Sequence, residues 1–187
     1  ATLETGVLYN ALVVNQLARL KNEFNIKIGI STTGENQVEV IKKAMDVHVE
    51  GKQLFDTFQS TYNMLDQSVL SVSSLLKQEG KKLIIKEALA NGRIFRNKNY
   101  PEYNDFYNAL EIVSKKYRVG LDAIALQFCA KTIPDSIVLS GASTISQLQE
   151  NLKMHAFVLS EEELNHLKSF RVKPNAYWNE RKQLKWN

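Results

Sequence analysis

Short β-branched segments alternate with helical segments along this 187-residue chain, and the alternation constrains the fold more than any other feature. Four apolar segments predict strands, and small or polar residues follow each of them: 26–30, 54–58, 83–85 and 137–139. Their spacing is close to that of a βα repeat, with one longer interval. Strands that alternate with helices favour a parallel sheet, whose carboxyl edge is where ligands bind in α/β folds.

Apolar residues at helical spacing predict the side that each helix turns inward. Helix by helix, these residues are Leu8, Leu12, Leu17, Leu20 and Phe24; Val38, Ile41, Ala44 and Met45; Val69, Val72, Leu75 and Leu76. Gly80 is expected to end the third of these helices. Further helices are predicted at about residues 105–117, 122–130 and 145–154. Ser160 and Glu163 predict a capping box at the start of another helix, with Leu159 and Leu164 as a hydrophobic staple.

Composition and charge exclude several classes of protein. No segment approaches the roughly 18 apolar residues that a membrane span needs, and no secretory signal is visible. Cys129 is the single cysteine, which excludes a disulfide framework, and His48, His155 and His166 lack metal-ligand spacing. The net charge is +4 with dispersed lysines, which is typical of solvated surfaces rather than nucleic-acid binding. We therefore expect a cytoplasmic protein without metal, membrane or nucleic-acid partners.

The segment that follows the last predicted strand carries the strongest functional motif. Gly141 turns the chain, and Ser143 and Thr144 then precede a helix, where free backbone amides and the helix dipole favour an anion. Thr144 with Gln147 also forms a capping-box pattern, which would explain both residues without any ligand. Spacing alone leaves the phosphate site and the purely structural cap as alternatives.

The sequence Gly-Ala-Ser-x-x-x-Gln-Leu-x-Glu-Asn at 141–151 resembles the last strand-to-helix segment of aldo-keto reductases. The resemblance implies that this segment binds the adenosine end of NADP(H), with NAD(H) as the alternative cofactor. The residues implied are Gly141, Ser143, Gln147, Glu150 and Asn151. Many members carry an arginine at the Gln147 position for the 2′-phosphate, so the preference for NADP(H) stays open.

Three other segments resemble the same family along the chain. Gly29-Ile30-Ser31 is similar to its "G-x-S" motif, which implies that Ser31 and Thr32 lie near the nicotinamide or the pyrophosphate. Gln59-Ser60-Thr61-Tyr62-Asn63 is similar to "Q-x-x-Y-N", whose Gln binds the carboxamide. Residues 86–92 stand where the family has an aromatic followed by "S-P-L-x-x-G", which adds Lys86 and Leu89 to the cofactor site. Lys86 replaces the aromatic that stacks on the nicotinamide ring.

The catalytic Asp, Tyr, Lys and His of the family lie on or after its first four strands, and this sequence matches none of those strands. Asp56, Tyr62, Lys86 and His48 have the right chemistry but stand in other repeats, so no catalytic residue is assigned. The resemblance therefore implies the C-terminal half, strands five to eight, of a (β/α)8 barrel. It covers residues 1–187 as one partial domain, with 171–187, including Tyr177, Trp178, Arg181 and Trp186, as a tail packed on it.

A half barrel has two unpaired edge strands and an uncovered inner side. The first functional hypothesis is a truncated segment of an NAD(P)H-dependent carbonyl reductase, acting on a small carbonyl substrate once an N-terminal half completes it. The second is a non-catalytic dinucleotide-binding, regulatory or scaffold module from that family. Self-association through the barrel edges is expected for either. An unrelated open parallel sheet is the remaining alternative.

Overall fold

Four parallel strands form the central sheet of the computed structural model, which describes residues 1–184. The strands of this sheet are β1 (Gly29–Ser31), β4 (Thr57–Thr61), β5 (Lys82–Lys86) and β6 (Ile137–Val138). Two further strands, β2 (His48–Val49) and β3 (Lys52–Gln53), lie outside it. The α-helices are α1 (Ala11–Phe24), α2 (Gln37–Met45), α3 (Leu70–Gln78), α4 (Asn104–Tyr117), α5 (Leu121–Thr132), α6 (Ile145–Leu152), α7 (Glu161–Lys168) and α8 (Pro174–Gln183). Short 3-10 turns lie at Val7–Tyr9, Ala90–Gly92, Pro101–Tyr103 and Lys153–His155. The predicted α/β class with parallel strands is confirmed.

The order of the strands across the sheet follows the order of the chain. The sheet runs β1-β4-β5-β6 with every pair parallel, and β2 and β3 form a separate antiparallel hairpin between α2 and β4. A doubly wound sheet reverses its strand order at a switch point, whereas a barrel keeps one direction throughout. Within residues 1–184 the sheet has the sequential order of a barrel.

The two sides of the sheet differ in burial, as the alternation of side chains along a strand requires. Ile30, Phe58 and Ile85 are buried on the side that the helices cover. The alternate side chains are exposed or half-buried, except Thr61, which is fully buried at the end of β4. The residues that define what we call the open face are Gly29, Ser31, Thr57, Gln59, Ile84 and Lys86. Apart from the end of β4, the described part of the chain packs on one side of the sheet only.

The first two strands begin later than predicted, at Gly29 and Thr57 rather than at residues 26 and 54. Hydrogen bonds outside the ladder explain the difference. The Asp56 carboxylate accepts the Ile28 amide at 2.9 Å, and the Leu54 amide donates to Val47 at 3.0 Å. These backbone groups are occupied before regular pairing starts. As a result, Gln59, Ser60 and Thr61, which were predicted to follow the second strand, form its end.

The predicted inward sides of the edge helices are wrong in part, because nothing in residues 1–184 covers them. Leu12 in α1 is 80% exposed, and Leu20 and Phe24 are also exposed. Ile145 in α6, for which no inward side was predicted, follows the opposite edge strand and is 79% exposed. Leu75 of α3, predicted to face inward, is also exposed. In α2 the predicted burial is confirmed for Ile41, Ala44 and Met45, whereas Val38 is half-buried.

Helix ends agree well with the sequence. Gly80 follows α3 with φ +65°, the left-handed conformation expected of a residue just past a helix end. The capping boxes of Thr144 with Gln147 and of Ser160 with Glu163 are both present, with the side chain and backbone contacts in each direction. These predictions are confirmed because local hydrogen bonding decides them.

Candidate functional site

The start of α6 places backbone amides and Gln147 together. The Gln147 Oε1 atom accepts hydrogen bonds from the Ser143 amide at 2.9 Å, the Ser143 hydroxyl at 3.0 Å and the Thr144 amide at 3.3 Å. The Thr144 hydroxyl accepts from the Gln147 amide at 3.2 Å. A neutral amide oxygen therefore occupies the position that an anion would take at this helix terminus. A phosphate would replace it with a charged acceptor for the same donors.

Gly141 turns the chain between β6 and α6. Its φ is +67°, and no atom lies within 4 Å of the position that a Cβ would take, so backbone conformation rather than space calls for glycine. The turn places Ser143 immediately before Thr144, the N-cap residue of α6. At Gly29 a glycine is required by space, because a Cβ there would lie 2.2 Å from the Thr57 Oγ1 atom on the neighbouring strand.

Asn151 is 3% exposed and lies one helical turn after Gln147 in α6. Its Nδ2 atom donates to the Ser140 carbonyl at 3.1 Å, whereas its Oδ1 atom has no donor among the described residues. A buried acceptor without a partner costs about 1–3 kcal/mol. The exocyclic amine of an adenine is a donor of the kind that this atom lacks, so Asn151 fits the adenosine end of a dinucleotide.

Glu150, the neighbour of Asn151, is committed to a surface ion pair. Its Oε1 atom lies 2.6 Å from the Lys153 Nζ atom, and both side chains are more than 40% exposed. Such a pair contributes little to stability, so the carboxylate can exchange this partner for a ligand hydroxyl at small cost.

The second part of the predicted site lies on the open face, at the carboxyl edge of the sheet. Ser31 stands opposite Gln59, and Lys86 stands opposite Thr61. The side chains of Ser31 and Gln59 make no hydrogen bond within residues 1–184. The sheet therefore presents a hydroxyl, a carboxamide and an ammonium group together at one edge.

Thr32 lies on the covered side of the sheet and is fully buried. Its hydroxyl is 2.7 Å from the Ser60 hydroxyl, and its amide donates to the Gln59 carbonyl at 2.8 Å. These contacts extend the pairing of β1 with β4. In this conformation Thr32 supports the neighbouring Ser31 and Gln59 instead of facing a ligand.

Leu89 is half-buried in a loop whose backbone is strained. Glu87, Ala90 and Asn91 all have φ between +50° and +58°, a region that residues other than glycine adopt at a cost. The Asn63 amide group donates to the Glu87 carbonyl at 3.0 Å, and the Arg93 Nε atom donates to the Ala90 carbonyl at 3.0 Å. The loop after β5 is therefore held by Asn63, the last residue of the Gln59–Asn63 motif, and by Arg93, which the sequence did not single out.

Helix α8 packs against this loop and against the end of β4. The Arg181 Nε atom donates to both Glu87 oxygens, at 3.1 and 3.0 Å, and its Nη2 atom donates to the Oε1 atom as well. The hydroxyl of Tyr177 accepts from the Asn63 Nδ2 atom at 2.9 Å, and Trp178 donates to the buried Asp66 at 3.0 Å. The aromatic residues and Arg181 of the tail motif were the sequence signal for this contact. Trp186 lies outside the described residues.

The four residues of catalytic type do not converge. Asp56 precedes β4 and pairs with Lys21 at 2.8 Å, whereas Lys86 ends β5. In the register of β4 with β5, Asp56 and Lys86 are five positions apart along the strands, which corresponds to a distance of roughly 16 Å. Tyr62 is fully buried, and burial raises the pKa of its hydroxyl. His48 is exposed on the β2–β3 hairpin.

A groove of about 1370 Å³ lies between α1 and the β2–β3 hairpin, with Asn15, Arg19, Lys43 and His48 in its lining. Asp56, Tyr62 and Lys86 do not line it. We place the site at the strand ends instead, because parallel sheets bind ligands at their carboxyl edge. Among residues 1–184 no three His, Cys, Asp or Glu side chains come together as metal ligands. Within the same residues no helix is long and apolar enough to cross a membrane.

The sequence matches the model of the aldo/keto reductase family over residues 13–172. A search of curated proteins found no significant match. Similar solved structures include a putative 2,5-diketo-D-gluconic acid reductase B, with 24% identity, a TM-score of 0.63 and coverage of 87% of this chain and 52% of that one. The holo form of the aldo-keto reductase AKR11C1 from Bacillus halodurans has 23% identity and a TM-score of 0.60, with 84% and 55% coverage.

A third similar structure is the thermostable aldo-keto reductase Tm1743 in complex with the inhibitor epalrestat. It shares 22% identity with this chain, with a TM-score of 0.63 and coverage of 84% of this chain and 53% of that one. At these identities the structures establish a shared fold. The chain spans about half the length of the solved structures that it matches.

Proposed function

This chain belongs to the aldo/keto reductase family, and on that premise we propose that it is the cofactor-binding half of an NAD(P)H-dependent carbonyl reductase. Ser143, Gln147, Glu150 and Asn151 would hold the adenosine end of the dinucleotide. Ser31, Gln59 and Lys86 would face its nicotinamide end. When bound, the nicotinamide supplies the hydride for the reduction of an aldehyde or ketone.

The observation that carries this proposal is the unmatched acceptor of Asn151 in the last turn of α6, together with the pre-arranged donors at the start of that helix. The Asn151 Oδ1 atom is buried without a donor, and the Ser143 and Thr144 amides already converge on one acceptor. Stability alone explains the cap but not the unpaired Asn151 atom. A dinucleotide supplies both a donor for that atom and a phosphate for the amides.

Strands β1, β4, β5 and β6 correspond in this proposal to strands five to eight of a closed barrel. The sequential strand order and the exposed apolar residues of both edge helices support it. The open face would then line the barrel interior. Four further βα repeats, carrying the family's Asp, Tyr, Lys and His, would complete the enzyme, and residues 171–184 would remain a tail packed on this half.

A non-catalytic dinucleotide-binding module is the second candidate. The separation of Asp56 from Lys86 and the burial of Tyr62 favour it, because these residues cannot substitute for the family's catalytic set. In that case the chain would bind the cofactor and reduce no carbonyl. Both candidates share the same binding site, so binding is the property to test first.

Calorimetric titration of NADPH and NADH into the purified chain tests the proposal. We expect saturable binding that is lost in a Ser143→Ala/Gln147→Ala/Asn151→Ala variant. The matched control is Ser146→Ala/Gln149→Ala, which changes exposed residues of the same helix. A folded wild-type chain that binds neither cofactor at millimolar concentration would contradict the proposed site.

A further inference from the structure

Lys86 occupies a position where an aromatic ring would be expected from the family resemblance. It is the last residue of β5, it points to the open face, and its side chain is 19% exposed. Ser31 and Gln59 lie on the same face at the same edge of the sheet. A lysine offers no ring for stacking, but it offers a compact positive charge that binds an oxyanion.

The charge of Lys86 is poorly matched within the described residues. Its nearest carboxylate is Glu87, whose Oε1 atom lies 4.0 Å from Nζ, too far for a hydrogen bond. Arg181 donates to both oxygens of that carboxylate. The Lys86 ammonium makes no hydrogen bond within residues 1–184, and burial lowers its pKa, with Glu87 raising and Arg181 lowering it further.

Glu87 cannot turn toward Lys86 without giving up other contacts. Its backbone is held in the left-handed region, with φ +58°, by the Asn63 hydrogen bond to its carbonyl and by the Arg181 clamp on its carboxylate. The half-buried Lys86 ammonium therefore has no hydrogen-bond acceptor among the described residues. A ligand oxyanion on the open face is the partner that would satisfy it.

We propose that Lys86 is an oxyanion-binding residue at the nicotinamide end of the site, replacing ring stacking by a charge-assisted hydrogen bond. The oxyanion is either a phosphate of the dinucleotide or the carboxylate of an acidic carbonyl substrate such as a 2-oxo acid. The Gln59 carboxamide on the neighbouring strand and the Ser31 hydroxyl one strand further lie on the same face of the sheet as neutral donors. The identity of the ligand in this inference rests on the proposed function. The need for a negatively charged ligand rests on the geometry around Lys86.

Lys86→Met is the direct test, with Lys82→Met as its matched control. Lys82 lies on the same strand and the same side of the sheet but at its amino end, where it donates to the Asp135 carbonyl. Each variant is titrated with reduced nicotinamide mononucleotide, with 2′,5′-ADP, and with pyruvate at saturating NADPH. We expect Lys86→Met to weaken the binding of the mononucleotide or of pyruvate by about tenfold, because a charged hydrogen bond is lost. Binding of 2′,5′-ADP should stay unchanged.

The two arms separate the two sources of the oxyanion. A loss confined to the mononucleotide assigns Lys86 to the cofactor phosphate, and a loss confined to pyruvate assigns it to the substrate carboxylate. Lys86→Arg, which keeps the charge, should retain most of the affinity. Unchanged binding of both ligands in Lys86→Met, or tighter NADPH binding in Lys86→Tyr, would overturn the inference.

A measurement without cofactor keeps this inference separate from the proposed function. NMR of the ¹³C-methylated lysines, titrated with inorganic pyrophosphate, should show a saturable change in the Lys86 signal and a raised pKa for Lys86. The signal of Lys82 should not change. A response to pyrophosphate in a chain that binds no NADPH would support the oxyanion residue and reject the proposed cofactor. No response at Lys86 in a chain that does bind NADPH would reject the oxyanion residue alone.

Discussion

Gln147 has one observed role, as a helix cap, and one proposed role, in cofactor binding, and the two conflict. Its carboxamide oxygen caps α6 by accepting from the Ser143 and Thr144 amides. The same position faces the 2′-phosphate in the proposed cofactor complex. An uncharged side chain can fill the helix terminus in the absence of cofactor and leave when a phosphate arrives, which an arginine cannot do as a cap because it has no acceptor.

Gln147→Arg should therefore lower the stability of the fold and raise the selectivity for NADPH over NADH. We expect the ratio of NADPH to NADH affinity to rise by about tenfold, because the guanidinium pairs with the 2′-phosphate. Unfolding free energy should fall by about 1 kcal/mol, because the capping acceptor is lost. Calorimetry with both cofactors and urea denaturation measure the two effects. Gln149→Arg, on the same helix and exposed, is the control, and an unchanged affinity ratio would place the 2′-phosphate elsewhere.

Residues of the site differ in how far the sequence could predict their surroundings. Ser143, Gln147 and Gly141 depend on local geometry, and their contacts follow from the motif. The clamp between Glu87 and Arg181 joins residues 94 apart in the chain. No spacing rule connects such a pair, so only the folded chain reveals why Glu87 cannot neutralise Lys86.

Helices were predicted more accurately than strands at the scale of the element. Helical periodicity and caps are local, so α4 begins and ends close to the predicted residues, and α7 begins at its predicted capping box. The start of a parallel strand depends on its neighbour, and the hydrogen bond between Asp56 and Ile28 delays both β1 and β4. Periodicity also cannot tell which neighbour covers a helix, which is why the apolar side of α1 was wrongly predicted to be buried.

Helix α7 gives a test of pH dependence. Burial by itself raises the pKa of Glu163, but hydrogen bonds from Lys116, the Ser160 amide and Tyr117 outweigh it and lower that pKa from 4.5 to about 2. A depressed carboxyl pKa contributes stability above the unfolded value, and this stability is lost as the pH falls from 4.5 toward 2.

Glu163→Gln should lower the free energy of unfolding by about 1 kcal/mol at neutral pH. The difference from wild type should shrink below pH 4.5 as the wild-type carboxyl takes up its proton. Urea denaturation at several pH values measures both, with Glu162→Gln on the same exposed turn as the control. A difference that is independent of pH would show that packing, not charge, accounts for the role of Glu163.

Arg181 joins helix α8 to the loop after β5, and Tyr177 and Trp178 of the same helix are buried beside it. Arg181→Met removes the clamp on Glu87 and leaves that carboxylate partly buried, which should cost about 2 kcal/mol of stability. We expect faster proteolysis after residues of α8 and little change in the far-ultraviolet spectrum. Lys182→Met, exposed on the same helix, should behave as wild type. Equal proteolysis of the two variants would mean that Tyr177 and Trp178 suffice to dock the helix.

The edges of the sheet determine behaviour at the scale of the whole molecule. β1 and β6 each pair on one side only within residues 1–184, and Leu12 and Ile145 expose apolar surface beside them. Unpaired edges and apolar patches favour association with another chain. The isolated chain should therefore associate with itself, or with an N-terminal half supplied separately.

Sedimentation velocity over a range of concentrations tests this expectation. The wild type should sediment as a dimer or larger species, and a Leu12→Lys/Ile145→Lys variant should shift toward the monomer. Ile112→Lys is the matched control, because Ile112 is 68% exposed on α4, away from both edges. A wild-type chain that stays monomeric at every concentration would mean that the edges are protected in another way.

Hydrogen exchange with and without NADPH locates the cofactor as well as detecting it. We expect slower exchange of the Ser143 and Thr144 amides and of the carboxyl ends of β1, β4 and β5. Exchange around the groove beside the β2–β3 hairpin should not change. Protection confined to that groove, or no protection in a chain that binds NADPH, would contradict a dinucleotide site at the carboxyl edge of the sheet.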